Sequence, residues 1–326
     1  MRVFIYIMFF VAFQMSFFAQ ENLVPNYSFE EFKICPDIDS GYFISNTNDW
    51  FGAGISTVDY YNACSEQTDM FGNYSMSVPK NLYGFQSART GNAYIGLATQ
   101  LIPNGFGLYE YASIKLKSPL IGGNSYELSY YVNLSDKSIW YDSVQYFNSF
   151  GAVFTEMNVQ TFYNGPTPYI FPLEPQIQTD RTYFYQDSLS WQKVSGTFIA
   201  KGGEEYVTIG TFDKFAEVKS NFINIDGNIE VYYFIDDVSL ISLGNIEIPN
   251  VFTPNFDGIN DVFVLNGNIE DGRLTILNRW GIIVYESDTD FYWDGKSNNQ
   301  ECSEGNYTVV FQQGQITKHS FLQLIR

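Results

Sequence analysis

The chain has 326 residues and a formal net charge of −19, with 36 Asp and Glu against 17 Lys and Arg. That balance excludes electrostatic binding to nucleic acid or to an anionic membrane surface, because both need clustered Lys and Arg. The length suits about two domains, and 18% aromatic with only 16% charged residues favours β structure over helical bundles.

Residues 1–20 read as a secretory signal peptide. Arg2 supplies the positive end, residues 3–13 are a nearly unbroken apolar run, and Ala19 is a small residue at the cleavage point. No later stretch is long and apolar enough to span a bilayer as a helix, so no membrane span is expected in the mature protein. Export sets how the three cysteines are read. Cys35 and Cys64 lie in the same N-terminal domain, and an oxidising compartment favours their pairing. Such a bridge closes a loop of about 29 residues, worth about 3–4 kcal/mol in the chain-entropy model. Cys302 is left over. A cysteine metal site is not expected, since there is no CxxC pair and His319 is the only histidine.

After the signal peptide, residues 22–30 read as a turn-rich start followed by a first strand. Residues 35–64 are irregular and polar, with Trp50 alone in the middle; long connections of this kind carry function more often than scaffold. Strands are predicted at 93–97 and 109–116, then at 126–134, where Tyr126, Leu128, Tyr130 and Val132 share one face. Residues 150–154 read as a buried strand, whereas four prolines in 163–178 forbid a central strand there. Strands return at 191–198 and 206–210. The run 231–240 is β-branched and aromatic throughout and reads as a central strand. No stretch keeps a clean helical stripe. Roughly eight or nine strands with long loops predict a double-sheet jelly roll over 21–243.

Leu243-Gly244-Asn245 is a short linker to a second domain, 246–326. Strands are predicted at 261–265, 273–277, 282–285, 307–311 and 320–325, with Gly281, Gly295 and Gly305 as turns. About seven short strands in this length fit an Ig-like β-sandwich. The fold class is therefore all-β, a jelly-roll β-sandwich followed by a smaller Ig-like one.

Family likeness enters at the stretch Ile248-Pro249-Asn250-Val251-Phe252-Thr253-Pro254-Asn255-Phe256-Asp257-Gly258-Ile259-Asn260-Asp261. Followed by Leu277-Asn278-Arg279-Trp280-Gly281, Trp293-Asp294-Gly295 and Glu304-Gly305-Asn306-Tyr307, it resembles the gliding-motility-associated C-terminal domain. That family is the type B sorting domain of the type IX secretion system. The resemblance implies recognition by the outer-membrane secretion machinery and a place outside the cell or on its surface. Asn255, Asp257, Gly258, Asn260 and Asp261 set four oxygen-bearing side chains around a glycine. They read either as a small calcium loop or as a tight Asx turn. Arg279 beside Trp280 suggests a cation–π pair, with packing as the alternative.

In the first domain, Asn22-Leu23-Val24-Pro25-Asn26 with Phe29-Glu30, Gly91-Asn92-Ala93-Tyr94 and Ile235-Asp236-Asp237-Val238 resemble galactose-binding-like jelly rolls. That group includes many non-catalytic carbohydrate-binding modules. The resemblance implies a structural Ca²⁺ tying the start of the domain to its last strand, through Glu30, Asn92 and Asp236. Calcium takes six to eight oxygens, which chain ends brought together can supply. The alternative is a carboxylate satisfied by backbone N–H groups. Within Asp236-Asp237 a strand period of two sends one carboxylate inward and one outward, and Asp236 is the inward candidate.

Sugar binding needs aromatic platforms beside short polar groups. Trp50, Tyr60, Tyr61 and Trp140 are candidate platforms because they lie in or beside loops, and Arg89 is positioned to read hydroxyls; loop packing is the other reading of Trp50. An enzyme is not expected. The sole histidine lies in the second domain, and there is no glycine-rich nucleotide loop. The favoured function is non-catalytic binding of carbohydrate at the cell exterior. The rival is a structural or adhesive surface protein that contacts protein partners.

Overall fold

The computed structural model describes residues 21–37, 41, 43–54, 56–66, 68, 75–101, 108–137, 145–159, 173–213, 218–220, 229–267, 269, 272–313 and 316–326. The signal peptide and Trp140 lie outside these residues.

In the first part of the chain the strands are β1 Trp50–Gly52, β2 Asp59–Asn62, β3 Lys80–Asn81, β4 Gly84–Phe85, β5 Ala93–Leu101, β6 Leu108–Tyr109, β7 Ala112–Lys115, β8 Ser125–Leu134, β9 Gln145–Phe147, β10 Gly151–Thr155, β11 Ile177–Gln178, β12 Gln192–Ile199, β13 Tyr206–Gly210, β14 Val218–Ser220 and β15 Ile229–Gly244. They form a five-stranded sheet, in the order β1-β7-β13-β10-β11, and a six-stranded sheet, β12-β8-β15-β5-β2 with β6 beside β5. One hydrophobic core joins the two sheets. Trp50, Ile114, Phe154 and Val207 enter it from one side, and Tyr60, Ile95, Leu128 and Ile235 from the other. The arrangement is a β-sandwich.

Side-chain alternation explains which face each strand buries. In β8, Tyr126, Leu128, Tyr130 and Val132 are all buried, while Glu127, Ser129 and Tyr131 stay half-exposed on the outer face. β15 lies between β8 and β5, so it is central, as its composition predicts. Its regular pairing breaks once: Asp236 pairs with Tyr131 and Ser239 with Ser129. Two residues thus oppose one, a β-bulge, and Asp237 takes a left-handed φ of 52° inside it.

The outer face of the six-stranded sheet is half covered. The β3–β4 hairpin and its flanks lie over β2, β5 and β15, where Met76 and Tyr83 pack on Tyr61, Tyr94, Tyr232 and Phe234. On the half formed by β8 and β12, Glu127, Ser129 and Tyr131 are half-exposed and Lys193 and Ser195 exposed.

Chain ends meet at β15. The Leu23 N–H donates to Leu240 O (2.8 Å) and the Val238 N–H to Tyr27 O (2.8 Å). Asn22 bridges the same strand, its Nδ2 donating to Val238 O and its Oδ1 accepting from Leu240 N–H. Cys35 and Cys64 form the disulfide.

From residue 246 a separate hydrophobic core gathers Phe252, Phe263, Leu274, Ile276, Trp293, Val309, Phe311 and Leu322. The strands here are β16 Val251–Phe252, β17 Phe263–Val264, β18 Arg273–Leu277, β19 Ile283–Ser287, β20 Tyr292–Trp293, β21 Lys296–Ser297, β22 Gln300–Glu301, β23 Gly305–Gln313 and β24 Ile316–Leu324. A five-stranded sheet, β16-β24-β23-β18-β19, is accompanied by the two-stranded ladders β17-β20 and β21-β22. The expected strands are present, but the second layer is made of short ladders, whose paired residues number only two per strand. Among the described residues no helix is long and apolar enough to cross a membrane.

Candidate functional site

Loop 87–92, which leads into β5, is gripped by carboxylates from both ends of the first domain. The N–H groups of Arg89 and Thr90 donate to Asp236 Oδ2 at 2.8 and 3.2 Å. Asp236 Oδ1 accepts the Asp237 N–H at 2.7 Å. Asp237 takes the Thr90 hydroxyl on Oδ1 (2.5 Å) and pairs with the Arg89 guanidinium through Oδ2. On the other side, Glu30 Oε1 accepts the N–H groups of Asn92 (2.8 Å) and Ala93 (3.0 Å). Gly91 sits between them with φ +65°, and a Cβ there would lie 2.2 Å from Glu30 Oε1. Only glycine fits this close approach.

The strand period misplaces the two aspartates. Ile235 faces the core, so Asp236 points to the outer face, where the loop buries it completely. The bulge then lets Asp237 reach the same loop instead of turning away. Burial, with the Asp237 charge beside it, pushes the Asp236 carboxyl up to about 8; the three backbone N–H donors pull the other way.

Glu30, Asn92 and Asp236 are therefore brought to one loop, Asn92 through its backbone N–H. At that loop the carboxylate oxygens of Glu30 and Asp236 accept backbone N–H groups. Among the described residues no group of three or more His, Cys, Asp and Glu is placed to hold a metal ion.

Beside the loop lies the β8–β12 half of the outer face. The Arg89 guanidinium stacks 3.5 Å above the Tyr131 ring, a cation–π contact. Its side chain keeps 33% of its surface exposed. Lys193 on β12 is the cross-strand neighbour of Tyr131, and Ser195, Ser129 and Ser239 align across β12, β8 and β15. Trp191 borders the patch, half-buried, with its indole N–H donated to Ser87 O at 3.1 Å. Neither Tyr131 nor Trp191 is among the platforms expected from the sequence, and Trp191 packs against the cluster of Tyr94 and Phe234. The available signal was an aromatic on the polar side of an alternating strand, next to Glu127 and Ser129.

Three expected sugar platforms are corrected. Trp50 is 2% exposed; its ring lies 5.0 Å from Phe29 and its indole N–H donates to Asn26 O. Tyr60 is in the same core, and its hydroxyl donates to Phe29 O at 3.0 Å. Tyr61 is buried under the hairpin, with its hydroxyl 2.7 Å from that of Tyr232. Burial raises both phenols well above their ordinary range. These rings are scaffold and offer no face to a ligand.

In the second domain the 255–261 loop is held by its own side chains. Asp261 accepts the N–H groups of Asn255, Phe256 and Gly258, and Asp257 accepts that of Ile259. The Asp257 bond, and that from the Asp257 N–H to Asn255 Oδ1, are Asx turns, whereas Asp261 reaches back across the loop; Asn260 adopts φ 55°. At the β18–β19 turn, Asn278 Oδ1 accepts the N–H groups of Trp280 (2.9 Å) and Ile282 (3.1 Å), and Gly281 takes φ +74°. The turn holds Trp280 out at 77% exposure, with the Arg279 guanidinium 5.8 Å from its ring.

Residues 246–324 match the family model CHU_C Type IX secretion signal domain. The chain carries a type IX secretion sorting domain. It is a secreted or cell-surface protein. Within the sorting domain, Arg326 closes the fold: its N–H donates to Glu304 Oε1 (2.6 Å) and its guanidinium to Gly295 O (3.3 Å). No curated protein matches the chain. Among solved structures, the CBM22-1 xylan-binding domain of Paenibacillus barcinonensis Xyn10C is 15% identical, with 69% of this chain and 96% of that one covered at a TM-score of 0.32. The adhesin domain of Epf from Streptococcus pyogenes is 11% identical, with 94% and 97% covered at 0.25. The K1 cleaved adhesin domain of Lys-gingipain from Porphyromonas gingivalis W83 is 13% identical, with 59% and 89% covered, also at 0.25. Likenesses of this strength carry no argument about function.

Proposed function

We propose that residues 21–243 form a non-catalytic, glycan-binding jelly roll that the sorting domain takes to the cell exterior. The carrying observation is the outer face of β8 and β12, where Arg89 stacks on Tyr131 beside Trp191, Lys193 and a row of serine hydroxyls. A guanidinium, hydroxyls and half-exposed rings on a rigid sheet suit the hydroxyls and apolar face of a sugar ring. In this reading Arg89 and the backbone amides tie the chain ends together, the work for which calcium was expected. Glycan arrays of the whole chain test it, alongside Tyr131→Ala and Trp191→Ala. Saturable binding lost in both variants supports the reading; binding unchanged in both overturns it. Thermal melting in calcium and in chelator decides the metal. Equal melting temperatures fit the amide and Arg89 tie, and a chelator-induced drop that is absent in Asp236→Ala would restore the ion.

A second reading, adhesion to protein partners, draws on a different surface. Phe32, Ile34 and Phe43 are exposed by 38%, 55% and 41% on the segments flanking the disulfide at Cys35. If they form one contiguous apolar patch, a protein contact is the use such a patch suits. Surface binding that survives Tyr131→Ala and is lost in Phe32→Ser with Phe43→Ser would favour adhesion.

A further inference from the structure

A second pocket belongs to neither the loop 87–92 site nor the Tyr131 face. It is a cavity of about 570 Å³ in the sorting domain, between the β18–β19 turn and the segment that leads into β23. That volume is within the range of small-ligand sites. Arg279 and Trp280 of the turn and Glu301, Ser303 and Glu304 of the segment line the cavity. Asn306 and Gln323, direct cross-strand partners on β23 and β24, also line it.

The walls are fixed before any ligand arrives. Asn278 holds the backbone of the Trp280 turn, the Tyr307 hydroxyl donates to Ser303 O at 2.6 Å, and Glu304 is held by the Arg326 N–H. Preorganisation of this kind reduces the ordering cost of binding.

The chemistry of the lining selects a ligand class. Arg279 only donates; Glu301 and Glu304 only accept; Asn306, Gln323 and Ser303 do both. An anion would want donors alone and a cation acceptors alone, whereas a sugar hydroxyl both donates and accepts. Trp280 adds an exposed indole on which the apolar face of a sugar ring can stack. An extended peptide would gain most by adding to an open strand edge. The strands that carry Asn306 and Gln323 pair with each other there, and the free edge of the sheet is β19, which reaches the pocket at Val284, so a peptide is the competing ligand for the test to exclude.

We infer that this pocket is a second carbohydrate site, for an uncharged oligosaccharide, built into the sorting domain and centred on Trp280. The test is a titration of the ¹⁵N-labelled whole chain with cellohexaose, xylohexaose, maltohexaose and chitohexaose. The Trp280 indole N–H signal is identified by its loss in Trp280→Ala. A saturable shift of that signal with at least one saccharide is expected, weakened at least about tenfold in Asn306→Ala with Gln323→Ala. Both variants change exposed side chains, so an unchanged melting temperature confirms that they fold. The inference is overturned by no shift with any of the saccharides, or by a shift that the double variant leaves intact. A shift caused only by a nonapeptide of Ser, Gly and Val would assign the pocket to polypeptide and also overturn it. Because the Trp280 signal reports this pocket alone, failure here leaves the Tyr131 face to its own experiment.

Discussion

Arg89 and Asp236 show how single side chains hold the first domain together. Asp237 is almost fully buried against Arg89, so Arg89→Ala leaves a desolvated carboxylate without its cation. Because Arg89 is itself one-third exposed, solvent recovers part of the loss, and a cost of about 1–3 kcal/mol is expected in chemical denaturation. Arg89→Lys keeps the charge but not the flat guanidinium on Tyr131, and should recover only part of it. Asp236 carries a pH dependence. Its folded value of about 8 lies above the unfolded one of about 3.9. Between these values the folded state keeps a proton that the unfolded state has lost. The stabilisation is therefore full below the unfolded value and disappears as pH rises through the folded value. Melting temperatures of the parent chain should fall between about pH 5 and about pH 9 more steeply than those of Asp236→Asn. A parallel pair of curves would remove the assignment. Glu30, Asn92 and Asp236 were grouped from the sequence, whereas Arg89 was assigned apart from them, to reading hydroxyls; the structure places it on the same loop, paired with Asp237. Trp50, Tyr60 and Tyr61 were misread, because strands of three and four residues are too short for alternation to reveal which face is buried. Trp50→Ala should thus cost stability, about 3–5 kcal/mol, and leave ligand binding to the surviving folded fraction unchanged.

Strand-scale features separate what periodicity can reveal from what it hides. In β8 the alternation is clean, and the inward set of Tyr126, Leu128, Tyr130 and Val132 could be read directly. In β15 the same rule failed at one place, because the bulge adds a residue between Asp236 and Ser239 and no local composition marks it. The bulge depends on a partner distant in sequence, loop 87–92, whose shape Gly91 permits. Gly91→Ala forces a left-handed backbone on a residue with a Cβ and drives that carbon into Glu30. A loss of about 1–3 kcal/mol is expected, measured by denaturation. The covered half of the outer face was equally hidden from the sequence. The hairpin that covers one half is only two residues per strand, and its docking on Tyr61 and Tyr232 is a tertiary choice.

At the scale of the whole molecule, two separate cores divide the work between a cargo region and an export region. Deleting residues 246–326 should keep the remainder inside the cell envelope, read by fractionation and immunoblot of culture medium and cell surface; unaltered export would contradict the sorting role. Replacing Cys35 and Cys64 by Ser should lower stability by about 3–4 kcal/mol, the chain-entropy value for a separation of 29 residues. Motif order made the second domain plain in the sequence, while the short ladders of its second layer escaped because two-residue strands carry no period. The junction of the chain ends has a further consequence. Asn22 bonds to Val238 and Leu240 across separations of 216 and 218 residues, and β15 stands in the middle of its sheet. Until that last strand has been made, neither the six-stranded sheet nor the seat of the N-terminal segment can exist. Such non-local pairing is slow to form. A ribosome must therefore finish almost the entire first domain before the sandwich can close, which leaves the nascent chain open to threading until that strand is made.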